Sequence, residues 1–311
     1  MSDIIITEFM DEAPIEALRE RYSVRFEPTL VDDRRALLAA VGEASAIIVR
    51  NRTQVDAELL DAAPRLRAVG RLGVGLDNID LDACGARNVR VLPATGANDV
   101  AVAEYVIAAA LMLRRGAYGH QRSMLAGEWP RSALIGLEVS GATMGLVGFG
   151  GIARQVATRA KALGMRVVAH DPNLPPHDEC WSRHDTEPMD FKSLLAESDV
   201  ISLHVPLVAG TRHLIDAAAL ARMRSNAVIV NSARGGVIDD AALARALADG
   251  VIAAAALDVF ETEPLPAGSV YAGLDNVLLT PHIAGVTVQS NVRVSQVTVD
   301  NVLAALDEVA A

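Results

Sequence analysis

The chain has 311 residues, of which 51% are hydrophobic and 22% charged, a composition typical of a globular protein long enough for two domains. Its net charge of −11 excludes strong non-specific attraction to nucleic acid or to an anionic membrane. Two cysteines, Cys84 and Cys180, are too few for a disulfide framework, and the acidic first residues lack the basic region of a signal peptide. We therefore expect a cytoplasmic protein.

Short apolar runs typical of strands alternate with helical patterns along almost the whole chain. The predicted strands are 3–7, 24–26, 46–50, 67–70, 89–92, 143–149, 166–171, 199–205, 227–231, 253–259 and 277–280. The predicted helices lie near 12–20, 33–42, 56–62, 98–115, 151–163, 190–196, 216–223, 239–249 and 287–308. Because continuous Val, Ile and Leu runs joined by helices indicate parallel sheets covered on both faces, the pattern predicts an α/β fold.

The elements form two α/β series, 1–97 and 142–285, joined by the long helical segment 98–115. The final helix follows the second series, so we expect it to return to the first domain. The sequence thus predicts two doubly wound parallel-sheet domains, one formed by 1–97 plus 286–311 and the other by 98–285. A cleft between two domains is where small-molecule sites tend to form.

A glycine-rich turn, GLVGFGGIA, lies between a predicted strand and a predicted helix. Its pattern, Gly148-x-Gly150-x-x-Ala153, lets backbone approach a pyrophosphate at a helix amino terminus, and alanine suffices at the third position. Asp171 ends the next strand, where a carboxylate accepts hydrogen bonds from a ribose diol and repels a 2′-phosphate. The pattern predicts an NAD site; the alternative for Asp171 is a solvated strand-end carboxylate.

Four polar residues follow apolar runs late in the chain: Arg234, Asp258, Glu263 and His282. Since ligands bind outside the carboxyl ends of strands in open α/β sheets, we expect these side chains to converge. An arginine can bind a carboxylate through two hydrogen bonds, a histidine can exchange a proton near neutral pH, and a glutamate beside it stabilises the imidazolium. Together with NAD, they fit the oxidation of a 2-hydroxy acid.

These residues lie in runs that resemble the D-isomer-specific 2-hydroxyacid dehydrogenase family: GLVGFGGIARQVATRAKALGMRVVAHDP, LHVPLVAGTRHLI, NSARGGVIDDAALARAL, ALDVFETEPLP and LLTPHIAG. The resemblance implies a flavodoxin-like substrate domain, an inserted Rossmann domain for NAD, and a homodimer formed largely through the Rossmann domains. It also implies that Arg234 binds the substrate carboxylate, that His282 is the acid and base, and that Glu263 hydrogen-bonds His282.

The resemblance further implies which residues bind the cofactor and the substrate. Asp258 corresponds to the contact with the nicotinamide carboxamide, and the backbone around Val74 and Gly75 to a second contact with the carboxylate. Formate dehydrogenases, a related group, carry glutamine at the position of Glu263, so formate is not expected. The implied NAD-binding residues are Gly148, Gly150, Gly151, Ile152, Asp171, Pro206, Thr211, Ala233, Asp258 and Gly285.

The stretch VRNRT places Arg50 and Arg52 at the end of a predicted strand. Side chains two positions apart on a strand share a face, so the two charges would repel each other unless an anion lies between them. Similar 3-phosphoglycerate dehydrogenases carry Arg-Ser-x-Thr here, with the arginine near the substrate phosphate; Arg50 and Thr53 match that pattern. Asn98 lies near a further polar substrate position of that group. A substrate with a second anion is therefore expected.

The stretches GRLGVGLDNID and ATGAND look similar to the branch of the family that oxidises (S)-sulfolactate. We therefore expect a small anionic 2-hydroxy acid, with (S)-sulfolactate oxidised to 3-sulfopyruvate as the first candidate. The alternatives are 3-phosphoglycerate oxidation and the reduction of glyoxylate or hydroxypyruvate.

Three further interpretations concern the arginine pair, a histidine and cysteine cluster, and the class of protein. Arg50 and Arg52 could pair only with surface carboxylates such as Asp56 or Glu58. The stretch HDECWSRH, residues 177–184, has two histidines and a cysteine, but its spacing matches no common zinc site, so no metal is expected. A non-enzymatic alternative is an NAD-sensing corepressor, which also resembles this family.

Overall fold

Residues 3–308 are the part of the chain that the computed structural model describes. The chain divides into two compact units. Unit 1 comprises Met1–Asn98 and Val286–Ala311, and unit 2 comprises Asp99–Gly285. No helix within the described residues is both long and apolar enough to cross a membrane.

Unit 1 is built on a five-stranded sheet whose neighbouring strands are all parallel. The strand order is β2-β1-β3-β4-β5, the doubly wound order of flavodoxin-like domains. The strands are β1 (Ile4–Ile6), β2 (Val24–Phe26), β3 (Ala46–Val49), β4 (Ala68–Arg71) and β5 (Arg90–Pro93). The helices are α1 (Glu12–Arg19), α2 (Arg34–Ala40), α3 (Ala57–Ala62), α4 (Leu81–Ala86) and, from the carboxy-terminal part of the chain, α12 (Val288–Asp307).

Alternate residues of the unit 1 strands pack into apolar clusters on opposite faces of the sheet. Ile4 and Ile48 pack with Val302 of α12 on one face, and Ile5 and Ile47 belong to the cluster on the other. Gly70 allows α12 to lie close to the sheet, because a Cβ atom there would lie 2.7 Å from a methyl group of Val302. The last helix of the chain is therefore part of the core of unit 1.

Unit 2 is built on a seven-stranded, fully parallel sheet of order β12-β11-β10-β9-β6-β7-β8. In chain order its first six strands follow the 3-2-1-4-5-6 arrangement of dinucleotide-binding domains. The strands are β6 (Thr143–Val147), β7 (Arg166–His170), β8 (Glu187–Pro188), β9 (Val200–Leu203), β10 (Val228–Asn231), β11 (Ala254–Leu257) and β12 (Val277–Leu279). The helices are α5 (Asp99–Arg115), α6 (Gln121–Leu125), α7 (Gly151–Ala162), α8 (Glu179–Arg183), α9 (Phe191–Glu197), α10 (Ala217–Leu220) and α11 (Asp240–Ala248).

Aspartates start many of these helices. Each accepts a hydrogen bond from a backbone N–H of the first helical turn, which satisfies a donor that has no partner within the helix. The capping residues are Asp33, Asp56, Asp80, Asp178, Asp190, Asp216 and Asp239. The helix boundaries are thus encoded locally.

The predicted α/β class with two doubly wound parallel sheets is confirmed. Several predicted strands were too long at their carboxyl ends: 46–50, 143–149, 199–205 and 253–259 end at Val49, Val147, Leu203 and Leu257. The chain leaves the sheet there to form the loops at its carboxyl edge. The pattern missed α4, α6, α8 and β8, since elements of two to six residues show too little periodicity to recognise.

Candidate active site

His282 and Glu263 are in direct contact at the carboxyl edge of the unit 2 sheet. Nδ1 of His282 lies 2.8 Å from Oε2 of Glu263, while Oε1 of the same carboxylate accepts the N–H of Phe260 at 3.0 Å. The carboxylate is thereby fixed on one side and orients the imidazole on the other. The His282 side chain is 50% exposed. With Nδ1 directed at Glu263, Nε2 is the nitrogen that can exchange a proton with a ligand.

Asp258 holds the loop that carries His282. Asp258 is 1% exposed, and its carboxylate accepts hydrogen bonds from the Thr280 hydroxyl at 2.6 Å and from the backbone N–H groups of Ile283 and Ala284 at 2.8 and 2.7 Å. The His282 N–H donates to the backbone oxygen of Asp258 at 2.9 Å. These bonds support the left-handed backbone of His282, whose φ is +56°, a conformation that non-glycine residues adopt rarely.

The Asp258 network extends to helix α5. The hydroxyl of Tyr105 lies 2.7 Å from that of Thr280. Burial is the largest influence on the Tyr105 hydroxyl and raises its pKa. Tyr105 and Thr280 were not recognised from the sequence, and neither lies in a motif that signals this contact. The carboxamide contact predicted for Asp258 remains a prediction.

Arg234 lies in the loop after β10, which Asn231 closes. The Asn231 side chain accepts the Ala233 N–H at 3.1 Å and donates to the backbone oxygen of Arg234 at 3.0 Å. Nη1 of Arg234 donates to the backbone oxygen of Ala233 at 2.6 Å. A Cβ atom at Gly235 would lie 1.7 Å from the backbone oxygen of Phe260, so only glycine permits this loop to approach the one that leads to Glu263.

The glycine-rich turn after β6 is shaped to receive an anion. Gly148 has a φ of +86°, and a Cβ atom there would lie 2.6 Å from the backbone oxygen of His204. A Cβ atom at Gly150 would meet nothing within 4 Å, so open space adjoins the turn. Helix α7 begins at Gly151, and no side chain caps it. Uncapped N–H groups at a helix amino terminus are suited to a phosphate, so these residues fit the pyrophosphate of NAD.

Asp171 lies directly after β7 and is fixed by two backbone donors. Oδ2 accepts the N–H of Phe149 and Oδ1 accepts that of Asn173, each at 2.9 Å. The first bond ties Asp171 to the glycine-rich turn, which is the place that a ribose-binding carboxylate requires. Ile152 is partly buried against the apolar core of unit 2.

The loop after β9 contains Pro206 and Thr211. The Thr211 hydroxyl donates to the backbone oxygen of Pro206 at 2.5 Å and accepts the Val208 N–H at 2.8 Å. It therefore stabilises the shape of this loop. Gly285 is partly buried beyond the His282 loop. The cofactor contacts of these residues and of Ala233 remain predictions.

The predicted arrangement of Arg50 and Arg52 on one strand face is wrong. Strand β3 ends at Val49, so both arginines lie beyond it. Nη2 of Arg50 donates to the Asn291 side chain at 3.1 Å, whereas Arg52 forms an ion pair with Asp32. The carboxylates named as alternative partners, Asp56 and Glu58, both pair with Arg34 instead.

The anion that lies against the loop at residues 50–53 is a side chain of the protein itself. Glu8 is 5% exposed and accepts the backbone N–H groups of Arg50, Arg52 and Thr53. Sequence reasoning missed Glu8, although it follows β1 by two residues and is thus a polar residue after an apolar run. The same pattern, a polar residue after an apolar run, predicted the four candidate residues of unit 2: Arg234, Asp258, Glu263 and His282.

The remaining predicted substrate residues of unit 1 lie in separate loops. Val74 is exposed and Gly75 partly exposed after β4. The side-chain oxygen of Asn98 is buried and has no hydrogen-bond partner within residues 3–308. An amide oxygen in that state can still accept a hydrogen bond from a ligand.

The histidine and cysteine cluster at residues 177–184 has a packing role. Cys180 is buried in the core of unit 2, and the ring of His184 meets that of Phe149 edge to face. Burial, followed by nearby positive charge from Arg154, lowers the pKa of His184. Among the described residues, no three His, Cys, Asp or Glu side chains are grouped so that they could hold a metal ion.

Residues 107–284 match the D-isomer specific 2-hydroxyacid dehydrogenase, NAD binding domain. The chain is 57% identical over 306 residues to an (S)-sulfolactate dehydrogenase of Chromohalobacter salexigens, covering 98% of this chain and 99% of the relative. It is 38% identical over 300 residues to a D-3-phosphoglycerate dehydrogenase of Archaeoglobus fulgidus, covering 96% of this chain but 56% of that relative.

Among solved structures, a D-lactate dehydrogenase of Aquifex aeolicus complexed with NAD and lactic acid superposes with a TM-score of 0.85. It is 29% identical, and the match covers 98% of this chain and 95% of the other. The predicted family and the predicted cofactor, NAD, are both confirmed. The chain belongs to the D-isomer-specific 2-hydroxyacid dehydrogenase family and is an NAD-dependent oxidoreductase that acts on the CH–OH group of 2-hydroxy acids.

Proposed function

We propose that the protein oxidises (S)-sulfolactate to 3-sulfopyruvate with NAD. The observation that carries this proposal is the 57% identity to the (S)-sulfolactate dehydrogenase of Chromohalobacter salexigens, which extends over nearly the full length of both chains. Arg50 and Arg52 supply positive charge for a second anion on the substrate, which lactate does not have.

His282 and Glu263 carry out proton transfer in this proposal. Neutral His282 accepts the proton of the substrate hydroxyl at Nε2. When bound, NAD would supply the hydride acceptor for the carbon that bears this hydroxyl. Glu263 accepts the hydrogen bond from Nδ1–H of His282, which keeps the ring in the required orientation and stabilises the imidazolium that forms. In the reverse direction, protonated His282 returns the proton to the forming alkoxide.

Arg234 binds the carboxylate of the substrate. A guanidinium presents its N–H donors in a planar fork that matches the two oxygens of a carboxylate, which suits Arg234 to this role. Val74 and Gly75 are backbone substrate-binding positions of unit 1 in this proposal. We assign unit 1 as the substrate domain and unit 2 as the NAD domain.

The proposed cofactor residues bind different parts of NAD. Gly148, Gly150 and Gly151 bring uncapped backbone N–H groups of α7 to the pyrophosphate, and Asp171 accepts hydrogen bonds from the adenosine ribose. The other NAD contacts are made by Ile152, Pro206, Thr211, Ala233, Asp258 and Gly285.

Arg50 and Arg52 receive the sulfonate, and Asn98 donates to it through its side-chain Nδ2, because a sulfonate has no hydrogen to donate to the amide oxygen. The ion pair of Arg52 with Asp32 does not prevent this, because the two side chains are 58% and 59% exposed. Exposed ion pairs contribute roughly 0–1 kcal/mol, which a sulfonate can readily offset. Asn291 holds Arg50 through a neutral amide, which leaves the charge of Arg50 uncompensated by that contact.

The protein forms a homodimer in the cytoplasm in this proposal. Support for the dimer comes from large apolar side chains exposed between α5 and β6, a segment of unit 2. A second copy would remove these side chains from water. They are Tyr118, Met124, Leu125, Trp129, Ile135 and Leu137.

A second candidate is oxidation of 3-phosphoglycerate, which the likeness to the Archaeoglobus fulgidus enzyme favours. A third is reduction of glyoxylate or hydroxypyruvate. Initial rates of NADH formation with (S)- and (R)-sulfolactate, 3-phosphoglycerate and D-glycerate separate these candidates. We expect (S)-sulfolactate to give the highest kcat/KM, by at least about tenfold. A higher value for 3-phosphoglycerate, or equal values for D-glycerate, would refute the proposal.

A further inference from the structure

A single buried carboxylate holds the backbone of the segment Arg50–Thr53. Oε1 of Glu8 accepts the N–H of Arg50 at 2.8 Å and that of Thr53 at 3.0 Å. The N–H of Arg52 lies 3.2 Å from Oε2 and 3.3 Å from Oε1. Three of the four backbone N–H groups of the segment Arg50–Thr53 therefore converge on Glu8, and that of Asn51 does not. Bonds of this kind to an ionised acceptor are stronger than those to a neutral one.

Two neighbouring side chains complete the support of this segment. Asn78 donates through Nδ2 to the backbone oxygen of Thr53 at 2.6 Å, and the hydroxyls of Thr7 and Thr53 lie 2.8 Å apart. The backbone is thus fixed from within unit 1, whereas the arginine side chains are partly or largely exposed. The segment presents two guanidinium groups from a rigid support.

Because Glu8 is negatively charged, it cannot itself attract an anionic substrate. A carboxylate near Arg50 and Arg52 lowers the positive potential that these residues offer to an anion. Removing its charge would strengthen anion binding if potential alone mattered. If the position of the loop matters more, removing the carboxylate would weaken binding, because the three N–H groups would lose their common acceptor. The two effects have opposite signs.

We propose that Glu8 is a positioning residue that sets the preference of the enzyme for substrates with a second anion, by fixing the backbone from which Arg50 and Arg52 project. The inference rests on the proposed function, in which these arginines receive the sulfonate. Glu8 itself does not contact the substrate.

The kinetic test compares Glu8→Ala with Glu20→Ala, which makes the same substitution on an exposed residue of unit 1. The ratio of kcat/KM for (S)-sulfolactate to that for D-glycerate falls about tenfold in Glu8→Ala, mainly through a higher KM for sulfolactate, because alanine offers the loop N–H groups no acceptor. The ratio is unchanged in Glu20→Ala. Equal losses for both substrates would show a merely structural role, and a lower KM for sulfolactate would show that charge dominates; either result overturns the inference.

Amide hydrogen exchange tests the support of the loop without any substrate. In the wild-type protein, the amides of Arg50, Arg52 and Thr53 exchange at least about tenfold more slowly than that of Asn51, and this protection is lost in Glu8→Ala, which has no acceptor. If wild-type enzyme shows no preference for (S)-sulfolactate, the proposed function fails while exchange still reports on Glu8. Unchanged protection in Glu8→Ala refutes the inference about Glu8 without touching the proposed function. Should that variant not fold, equal exchange of all four wild-type amides would refute it.

Discussion

Glu263 and His282 form a pair in which each residue is held by a different part of the chain. Oε2 of Glu263 lies 2.8 Å from Nδ1 of His282, and the other carboxylate oxygen is bound by the Phe260 N–H. The His282 loop is anchored independently by Asp258. Because both members are fixed, the pair is organised before a ligand arrives, which is what efficient proton transfer requires.

Replacing His282 is expected to remove most turnover without affecting folding. In His282→Ala, kcat falls by about 10²–10⁴-fold, since general acid and base catalysis contributes that much. Glu263→Gln retains an acceptor for Nδ1–H but loses the charge, so its kcat falls less. Steady-state kinetics and thermal melts of both variants provide the check. Near-normal turnover in His282→Ala would contradict the assigned role.

Arg234→Lys is expected to fail to restore the function lost in Arg234→Ala. A lysine keeps the positive charge but cannot make two parallel bonds to a carboxylate. Both variants therefore show a KM raised by about tenfold or more and a reduced kcat. Recovery of wild-type constants in the lysine variant would mean that charge alone matters at this position.

Thr280→Val tests the support of the His282 loop. The variant keeps the shape of the side chain but removes its hydroxyl, which contacts both Asp258 and Tyr105. We expect stability to fall by about 1–3 kcal/mol, because the buried Asp258 oxygen and the Tyr105 hydroxyl lose a partner. We also expect a lower kcat. Tyr105→Phe removes only one of the two contacts and should cost less in denaturant unfolding; a larger loss in that variant would contradict this account.

Asp171→Ala is expected to shift cofactor preference from NAD toward NADP. The substitution removes the acceptor for the ribose diol and the charge that repels a 2′-phosphate. It also leaves the Phe149 N–H in the glycine-rich turn without its acceptor, so affinity for NAD falls. Dissociation constants for both cofactors, measured by NADH and NADPH fluorescence titration, give the ratio. An unchanged ratio would support the alternative that Asp171 is only a solvated strand-end residue.

His204 is expected to make stability depend on pH. Burial lowers the pKa of His204 from 6.5 to about 4, and its Nε2 is buried without a hydrogen-bond partner in the described part of the chain. The unfolded state therefore binds a proton that the native state does not, at pH values between these two pKa values. The contribution is complete above pH 6.5 and is lost as pH falls toward about 4, by an amount on the order of 3 kcal/mol.

The check is denaturant unfolding across this range for wild type, His204→Gln and His177→Gln. The wild type and the variant of the exposed His177 should lose stability in parallel on acidification. His204→Gln should lose less. Parallel curves for all three proteins would mean that His204 is not buried as a neutral base.

The sequence predicted the sheets because buried parallel strands appear as continuous apolar runs; the strand predicted at 227–231 forms over Val228–Asn231. It did not predict the contacts that organise the loops. Glu8 meets Arg50 from 42 positions away, and Tyr105 meets Thr280 from 175. Contacts between residues so far apart in the sequence depend on the tertiary fold, and a local sequence pattern does not predict them. Arg50 and Arg52 were expected on one face because the strand was predicted to continue through residue 50, whereas β3 ends at Val49.

The most direct test of the account compares (S)-sulfolactate with D-lactate as substrates of the wild-type enzyme, Arg50→Ala and Arg52→Ala. We predict that kcat/KM for (S)-sulfolactate exceeds that for D-lactate in the wild type. At least one alanine variant should reduce this preference about tenfold or more, with little effect on D-lactate. Equal use of the two acids by the wild type, or a preference that survives in both variants, would contradict the assignment of these arginines to a sulfonate.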